Sequence, residues 1–208
     1  MREKKYEKAN LPFILLGLVA MACIIYFMII PSMPKDDASE ISGKHYVEMA
    51  VKDYGVIQME LDADVAPITV DNFIGLVQEG FYDGLTFHRI ISGFMIQGGD
   101  PYGDGQGGSG QVIKGEFSAN NVENDLSHTR GVVSMARKAT GYDTASSQFF
   151  ICHQDSTFLD GNYAAFGRVL EGMEVVDAIC DTVKPFGENG QVNPGDQPVI
   201  EYIKVIEK

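Results

Sequence analysis

Alternating apolar and polar positions predict that most of this chain forms short β-strands. Between residues 47 and 61, apolar side chains alternate with polar or small ones on both sides of a turn at residues 53–55. This is the pattern of a β-hairpin with one buried face. Six further short apolar runs follow, in residues 85–91, 94–97, 131–135, 148–152, 164–169 and 199–206.

Two segments have the helical period instead. The first begins at Pro67, carries apolar residues at positions 70, 73, 74 and 77, and ends at Gly80. The second follows Gly172 and places apolar residues at positions 175, 176 and 179. Many short strands with only two helices predict an all-β domain, a closed antiparallel barrel whose ends the helices cover.

One stretch departs from this pattern, because residues 11–30 contain no charged residue. At about 1.5 Å per residue these twenty positions span the roughly 30 Å hydrocarbon core of a bilayer, which predicts a transmembrane helix. Residues 1–10 hold four basic and two acidic side chains, which places the N-terminus in the cytoplasm and the remainder outside. Residues 31–43, rich in Pro, Ser, Asp and Gly, predict a flexible linker, and residues 44–208 predict one folded domain.

Cleavage or lipidation of the same segment stays open as an alternative. A signal peptide would be cut at the small residues that end at Ala22, although the apolar run continues to residue 30. Cys23 follows as in a lipoprotein, but Ala20 stands where such a signal usually has Leu. In each case the domain is tethered or exported. A short basic N-terminus with a single span suits a Gram-positive bacterium.

Composition narrows the function classes. The 208 residues include 16 Lys and Arg against 29 Asp and Glu, for a formal net charge of -13 at pH 7. Since nucleic-acid binding relies on basic side chains that neutralise phosphates, we expect no nucleic-acid partner. Three cysteines cannot form a disulfide framework. Cys152 is interpreted as a small buried apolar residue, and its pairing with Cys180 is left open.

Several candidate motifs lack the context that their chemistry needs. Gly103, Gly105 and Gly108 have the spacing of a dinucleotide-binding loop, but no helical pattern follows them, so we interpret the segment as a plain loop. The four histidines have no metal-ligand spacing. The dispersed acidic side chains are interpreted as a solvated surface; they are Asp100, Asp104, Glu123 and Asp125. We therefore expect no metal and no cofactor.

The most unusual segment is residues 87–100, FHRIISGFMIQGGD, which places Arg89 inside an apolar strand. A buried guanidinium is costly unless it is paired. Arg89 therefore extends to solvent, pairs with an acid, or serves a function. Phe94, Met95 and Gln97 follow within eight residues, so an apolar surface and an amide accompany the charge.

These residues closely resemble the signature of the cyclophilin family of peptidyl-prolyl cis-trans isomerases. Three further blocks follow in the family's order, at residues 131–136, 147–151 and 159–169. The resemblance covers essentially residues 44–208 and implies an eight-stranded antiparallel β-barrel capped by two helices. It also implies isomerisation of X-Pro bonds in proline-containing polypeptides, here in a membrane-anchored bacterial form that assists exported proteins. A non-catalytic proline-peptide-binding module on the same barrel is the alternative.

The resemblance also assigns site residues. The family's active-site arginine falls on Arg89, and Gln97 acts with it as a contact to the substrate backbone. The substrate-binding positions fall on Phe94, Met95, Ala136, Phe150, Phe158, Leu159 and Tyr163.

Two of these positions depart from the best-known eukaryotic members. Phe158 replaces their tryptophan and Tyr163 replaces their histidine. Because Phe cannot donate the hydrogen bond of a tryptophan, we expect cyclosporin binding to be weak. Residues 137–147 are about two residues longer than in those members, and they border the site. The preference for the residue before proline therefore does not transfer.

Overall fold

The computed structural model of the protein describes residues 41–187 and 189–208, and these form eight strands and two α-helices. The strands are β1 (Lys44–Val51), β2 (Gly55–Asp62), β3 (Thr86–Ile91), β4 (Met95–Asp100), β5 (Val132–Met135), β6 (Phe149–Cys152), β7 (Ala165–Glu171) and β8 (Ile200–Ile206). The helices are α1 (Pro67–Gln78), after β2, and α2 (Met173–Thr182), after β7.

The predicted membrane span at residues 11–30 lies outside the described residues, as do residues 31–40 of the predicted linker. Within the part of the chain that the structure describes, neither helix has the length and hydropathy needed to cross a bilayer.

The eight strands form one antiparallel sheet in the order β3-β4-β6-β5-β7-β2-β1-β8. Its two edge strands meet at one end, where the Ile200 amide donates to the Leu85 carbonyl at 2.8 Å. Beside it, the Phe87 amide donates to the Pro198 carbonyl at 2.9 Å. The sheet curls so that its edges approach each other at this end. It is a curled half-barrel, which is less complete than the closed barrel that the strand pattern predicted.

Further along β3, residues 190–192 lie beside the strand and bond to its backbone. The Ile90 amide donates to the Gly190 carbonyl at 2.7 Å, and the Val192 amide donates to the His88 carbonyl at 2.9 Å. Gly190 permits this approach because it has φ of 73° and a Cβ there would lie 2.6 Å from the Ile90 carbonyl oxygen. The edge of β3 is thereby covered, and the segment reaches the neighbourhood of Arg89.

The main core fills the concave side of the sheet, and α1 packs on it. The predicted alternation is confirmed, since Val47, Met49 and Val51 are all buried. Phe73 of α1 has its ring centroid 5.0 to 5.5 Å from those of three other core rings. These rings belong to Tyr82, Phe149 and Phe166.

The start of α1 is stabilised by a residue far along the chain. Pro67 is the first residue of the helix. The N-cap residue, Ala66, makes no side-chain hydrogen bond to the helix amides. The buried Glu116 instead accepts from the Ile68 amide at 3.0 Å and from the Thr69 amide at 2.7 Å. These amides have no partner within a helix, and the helix dipole favours a negative group beside them. Burial nevertheless raises the pKa of Glu116 above its ordinary value.

A second, smaller core cluster lies on the opposite side of β4, β5 and β6. Along β6, Phe149 and Ile151 face the main core, whereas Phe150 and Cys152 face the second cluster. This strand is buried along its whole length because both of its faces are covered. Cys152 is a free, buried thiol, as predicted, and Cys180 is also free. Burial raises the pKa of both thiols to about 12.

Candidate active site

A cavity of about 380 Å³ opens beside the second cluster, where β3, β4 and β6 lie together. The structure brings eight of the nine predicted site residues into its lining: Arg89, Phe94, Met95, Gln97, Ala136, Phe150, Leu159 and Tyr163. The cavity has one apolar and one polar side, and each is built differently.

The apolar side consists of Phe94, Met95, Phe150 and Leu159, which we call the apolar wall. Met95 is 1% exposed, Phe150 5% and Leu159 8%. All three belong to the second core cluster, against which Phe94 also packs. The apolar wall is thus the part of a packed core that is open to the cavity. An apolar ring bound there would contact these side chains and be shielded from water.

A hydrogen-bonded histidine supports the apolar wall from behind. The buried ring of His128 stacks on Phe150 with centroids 6.0 Å apart and an interplanar angle of 17°. Its Nδ1 lies 2.7 Å from Asp160 Oδ1, and its Nε2 lies 2.9 Å from Ser134 Oγ. A carboxylate can only accept, so Nδ1 donates to Asp160 and the Ser134 hydroxyl donates to Nε2.

The ionisation of this pair follows from its surroundings. Burial lowers the pKa of His128 below its ordinary value, against the opposing effect of Asp160. Partial burial favours the neutral form of Asp160, but hydrogen bonds from Ser127 and His128 hold its pKa below its usual range. The contact is therefore a hydrogen bond between neutral imidazole and carboxylate. Ser134 is fully buried, so this Ser-His-Asp arrangement presents no nucleophile to the cavity.

The polar side is a chain of hydrogen bonds through Arg89, Gln97 and Gln148, which we call the polar relay. Arg89 Nη1 donates to Gln97 Oε1 at 3.2 Å, and Gln97 Nε2 donates to Gln148 Oε1 at 2.8 Å. Gln148 Nε2 then donates to the Gly107 carbonyl at 2.8 Å. Arg89 Nε donates to the Asn189 carbonyl at 2.8 Å, so the guanidinium is fixed from both sides.

Arg89 is half-buried and lies beyond ion-pair distance of every carboxylate in residues 41–187 and 189–208. Of the interpretations that the sequence left open, pairing with an acid is therefore excluded within this range. Burial lowers the pKa of the Arg89 guanidinium, which still carries its charge because arginine stays protonated in proteins. The site thus contains a fixed cation, and its Nη2 group makes no hydrogen bond among the described residues.

The loop after β4 is organised by Asp100, whose side chain is almost fully buried. Its carboxylate accepts from the amides of Tyr102, Asp104 and Gly105. Burial favours the neutral acid, but the backbone donors hold the pKa of Asp100 below its usual range. The prediction of a solvated surface is wrong for Asp100, because backbone amides replace its water. The loop interpretation of the glycine spacing is confirmed, since no helix follows it.

His88 lines the cavity next to Arg89, although neighbours on a regular strand face opposite sides. The register explains this, since Phe87 pairs with Gly98 and Arg89 with Gln97, which leaves His88 as an extra residue in a β-bulge. His88 is 4% exposed, and neither ring nitrogen has a hydrogen-bond partner among the described residues. Burial lowers the pKa of His88, while Asp100 opposes the shift.

Phe158 stands apart from the other predicted site residues. Its side chain is 71% exposed and does not line the cavity, although its ring packs at 5.4 Å against that of Phe94. Tyr163 does line the cavity and meets Phe150 edge-on at 6.0 Å. Arg137, from the segment that the resemblance placed beside the site, also lines the cavity. The lining residues that the sequence did not indicate are His88, Asp104, Gly105, Gln106, Asn189 and Gln191.

The family comparison agrees with this geometry. A family model described as cyclophilin type peptidyl-prolyl cis-trans isomerase/CLD matches residues 46–205. A peptidyl-prolyl cis-trans isomerase of Helicobacter pylori is 48% identical over 127 residues, which cover 60% of this chain and 74% of the relative. Peptidyl-prolyl cis-trans isomerase B of Bacillus subtilis is 48% identical over 124 residues, which cover 60% and 82%.

Solved structures show the same fold. A cyclophilin type peptidyl-prolyl cis-trans isomerase of Cryptosporidium parvum superposes with a TM-score of 0.70 at 32% identity, covering 80% of this chain and 99% of that chain. A second structure of that protein, in the presence of the dipeptide Ala-Pro, gives 0.69 at 30% identity and covers 78% and 99%.

Proposed function

The chain belongs to the cyclophilin family and is a peptidyl-prolyl cis-trans isomerase, and we propose that it rotates X-Pro bonds between the apolar wall and the polar relay. The observation that carries this placement is the juxtaposition of the fixed Arg89 guanidinium with an uncovered apolar edge in one cavity. The occurrence of an Ala-Pro dipeptide with a relative of the same fold supports a proline-containing ligand.

The reaction needs neither a nucleophile nor a cofactor. Rotation about an amide bond has a barrier of about 18 to 20 kcal/mol because resonance makes the bond partly double. In the twisted transition state this resonance is lost, and the prolyl nitrogen becomes pyramidal and regains a lone pair. A group that interacts with the nitrogen only in that state lowers the barrier.

Arg89 is the residue that we assign to this interaction. Its charge is permanent and its donors form a rigid fork. The bonds to the Asn189 carbonyl and to Gln97 orient the fork before the substrate arrives, so little reorganisation is needed in the reaction.

The remaining site residues have binding roles in this proposal. The apolar wall holds the proline ring and excludes water. Gln97 and Ala136 contact the peptide backbone, and Tyr163 closes the side of the pocket next to Phe150. Phe158 provides an exposed aromatic rim beyond Phe94. Weak cyclosporin binding stays a prediction, and it is checked by comparing cyclosporin affinity between wild type and Phe158→Trp.

The assignment of Arg89 is tested by NMR exchange spectroscopy on an Ala-Pro peptide with the full chain. We expect Arg89→Ala to lower kcat/KM by about 100-fold or more, as the loss of one transition-state donor commonly does. Arg168→Ala is the matched control, because Arg168 is exposed and pairs with Glu60 away from the cavity. Wild-type activity in Arg89→Ala, or an equal loss in Arg168→Ala, would overturn the assignment.

We also propose that the enzyme works on exported proteins at the outer face of the cytoplasmic membrane. The uncharged stretch of residues 11–30 after a basic segment supports this setting. We expect the intact protein to sediment with membranes and to resist carbonate extraction, and externally added protease to digest the domain in spheroplasts. Release by cleavage near Ala22, or incorporation of a lipid label at Cys23, would replace the anchor with one of the two alternatives.

A further inference from the structure

Arg137 is a cavity residue to which the assigned reaction gives no role. It follows Ala136 directly, and its guanidinium carbon lies over three aromatic rings. The distances to the ring centroids are 4.7 Å for Tyr163, 5.2 Å for Tyr142 and 5.5 Å for Phe117. Ring faces are negative, so they hold a cation without removing its charge.

Hydrogen bonds to backbone carbonyls fix the orientation of this guanidinium. Nε donates to the Asn162 carbonyl at 2.9 Å, and Nη1 lies 3.3 Å from the Lys138 carbonyl and 3.4 Å from that of Gly141. All three acceptors are neutral. The Nη2 group makes no hydrogen bond within the described part of the chain and remains available to a ligand.

Ion pairing separates the arginines of the described residues into two groups. Arg130 pairs with Asp177 at 2.8 Å and Arg168 pairs with Glu60 at 3.0 Å, both outside the cavity. Arg89 and Arg137 line the cavity, and over residues 41–187 and 189–208 neither lies within ion-pair distance of a carboxylate. In a chain with a net charge of -13, the cavity is thus lined by two guanidinium groups that form no ion pair among the described residues.

One carboxylate does occur in the lining, that of Asp104. It sits on the loop organised by Asp100 and accepts from the Gln106 amide at 2.8 Å. It forms no ion pair with Arg137, so it leaves that cation unneutralised.

From this arrangement we propose that Arg137 is a specificity-determining residue, which selects peptides carrying a Glu or Asp side chain within two residues of the isomerised proline. The inference rests on the proposed function, since it needs the peptide to lie in this cavity along Ala136. A fixed, half-exposed guanidinium can form a charge-assisted hydrogen bond with such a carboxylate through Nη2. The neutral carbonyl acceptors and the aromatic rings hold the guanidinium in place. None of them carries a negative charge that would compete with the carboxylate of the peptide.

The test compares peptides that differ only in charge. Four pairs carry either Glu or Gln, at the first or second position before or after the proline, and exchange is measured with the full chain. We expect at least one position to favour Glu over Gln by about threefold to tenfold in kcat/KM, as for a half-exposed charge-assisted contact. Because the contact is ionic, raising the salt concentration from 20 mM to 500 mM should reduce this ratio, and this measurement needs no variant.

Variants then test whether Arg137 causes the preference for Glu over Gln. In Arg137→Gln the Glu/Gln ratio should fall to about one, whereas Arg137→Lys should retain part of it because the charge is kept. Lys138→Gln is the matched control, since it removes the same charge from the next residue, which is exposed and outside the cavity lining. It should leave the ratio at its wild-type value.

The outcomes separate this inference from the proposed function. If wild type isomerises the Gln peptides but shows no Glu preference at any position, the role of Arg137 is refuted and the isomerase assignment stands. A Glu preference that persists in Arg137→Gln, or that Lys138→Gln also abolishes, refutes it as well. If wild type isomerises none of the peptides, the proposed function itself fails.

Discussion

The two sides of the active site are built from different kinds of interaction. The apolar wall is continuous with the second core cluster, so its side chains are 1 to 8% exposed apart from Phe94. The polar relay is half-buried and is held by single hydrogen bonds of 2.8 to 3.2 Å. On the apolar side, the same contacts therefore stabilise the fold and form the proposed proline pocket. On the polar side, the geometry proposed for catalysis is separable from stability.

The largest effect that this comparison predicts concerns Phe150. Phe150→Ala removes a buried ring from both the second cluster and the cavity, and we expect a loss of about 3 to 5 kcal/mol in the free energy of unfolding. KM for a proline peptide should rise in parallel. Urea unfolding and exchange kinetics check the two effects, with Phe150→Leu expected to be intermediate in both. A loss of activity at unchanged stability would contradict the shared role of the wall.

An intermediate effect is expected at Gln148, which reaches Arg89 only through Gln97. Gln148→Ala should lower kcat about tenfold with little change in KM, because the substrate still binds while the guanidinium loses part of its support. The free energy of unfolding should change by about 1 kcal/mol, as for a single hydrogen bond.

Steady-state kinetics separate kcat from KM at this position, and a merely structural role would not produce that split. Gln154→Ala is the control, since Gln154 is exposed just beyond β6. A fall in stability of several kcal/mol in Gln148→Ala would mean that the polar relay also supports the fold.

The smallest effect is a pH dependence that originates behind the apolar wall. Burial lowers the pKa of His128 in the folded protein, so the unfolded chain binds a proton first as the pH falls. Stability is then fully present above the ordinary histidine value of about 6.5 and declines below it, by at most about 1.4 kcal/mol per pH unit for one histidine.

Urea unfolding between pH 7.5 and 5 measures this slope. His128→Gln should reduce it, and so should His88→Gln, because burial also lowers the pKa of His88. His45→Gln, at a residue outside the cavity lining, is the matched control. A slope that is unchanged in His128→Gln would show that the folded and unfolded chains bind a proton at residue 128 equally well, which would contradict the lowered pKa.

Strands whose side chains alternate in polarity were predictable, and those shaped by close backbone contact were less so. The hairpin of β1 and β2 follows directly from its period of two. The pattern ended β4 at residue 97, but the strand continues to Asp100 through two glycines. A Cβ on Gly98 would lie 2.8 Å from the Thr86 carbonyl oxygen, and one on Gly99 would lie 2.5 Å from that of Ser147. Glycine is required there by neighbours that are distant in sequence.

Prediction of the site from the sequence has the same limit, because some of its residues are placed by contacts that are distant in sequence. The apolar wall was predictable because its residues lie in recognisable strand segments and in blocks that resemble a known family. His88 was not, since the bulge that turns it into the cavity depends on pairing with β4. The role of Arg137 was not, because two of the three rings around it, those of Phe117 and Tyr163, are brought to it from other segments by the fold. Contacts assembled by the fold leave no local signal.

The carboxylate at the start of α1 has a consequence for how the protein is made. Glu116 follows the amides that it caps by 48 and 47 residues, so a nascent chain must extend well beyond the helix before that acceptor exists. During synthesis, the first turn of α1 therefore lacks this acceptor until residue 116 has emerged and its loop has closed.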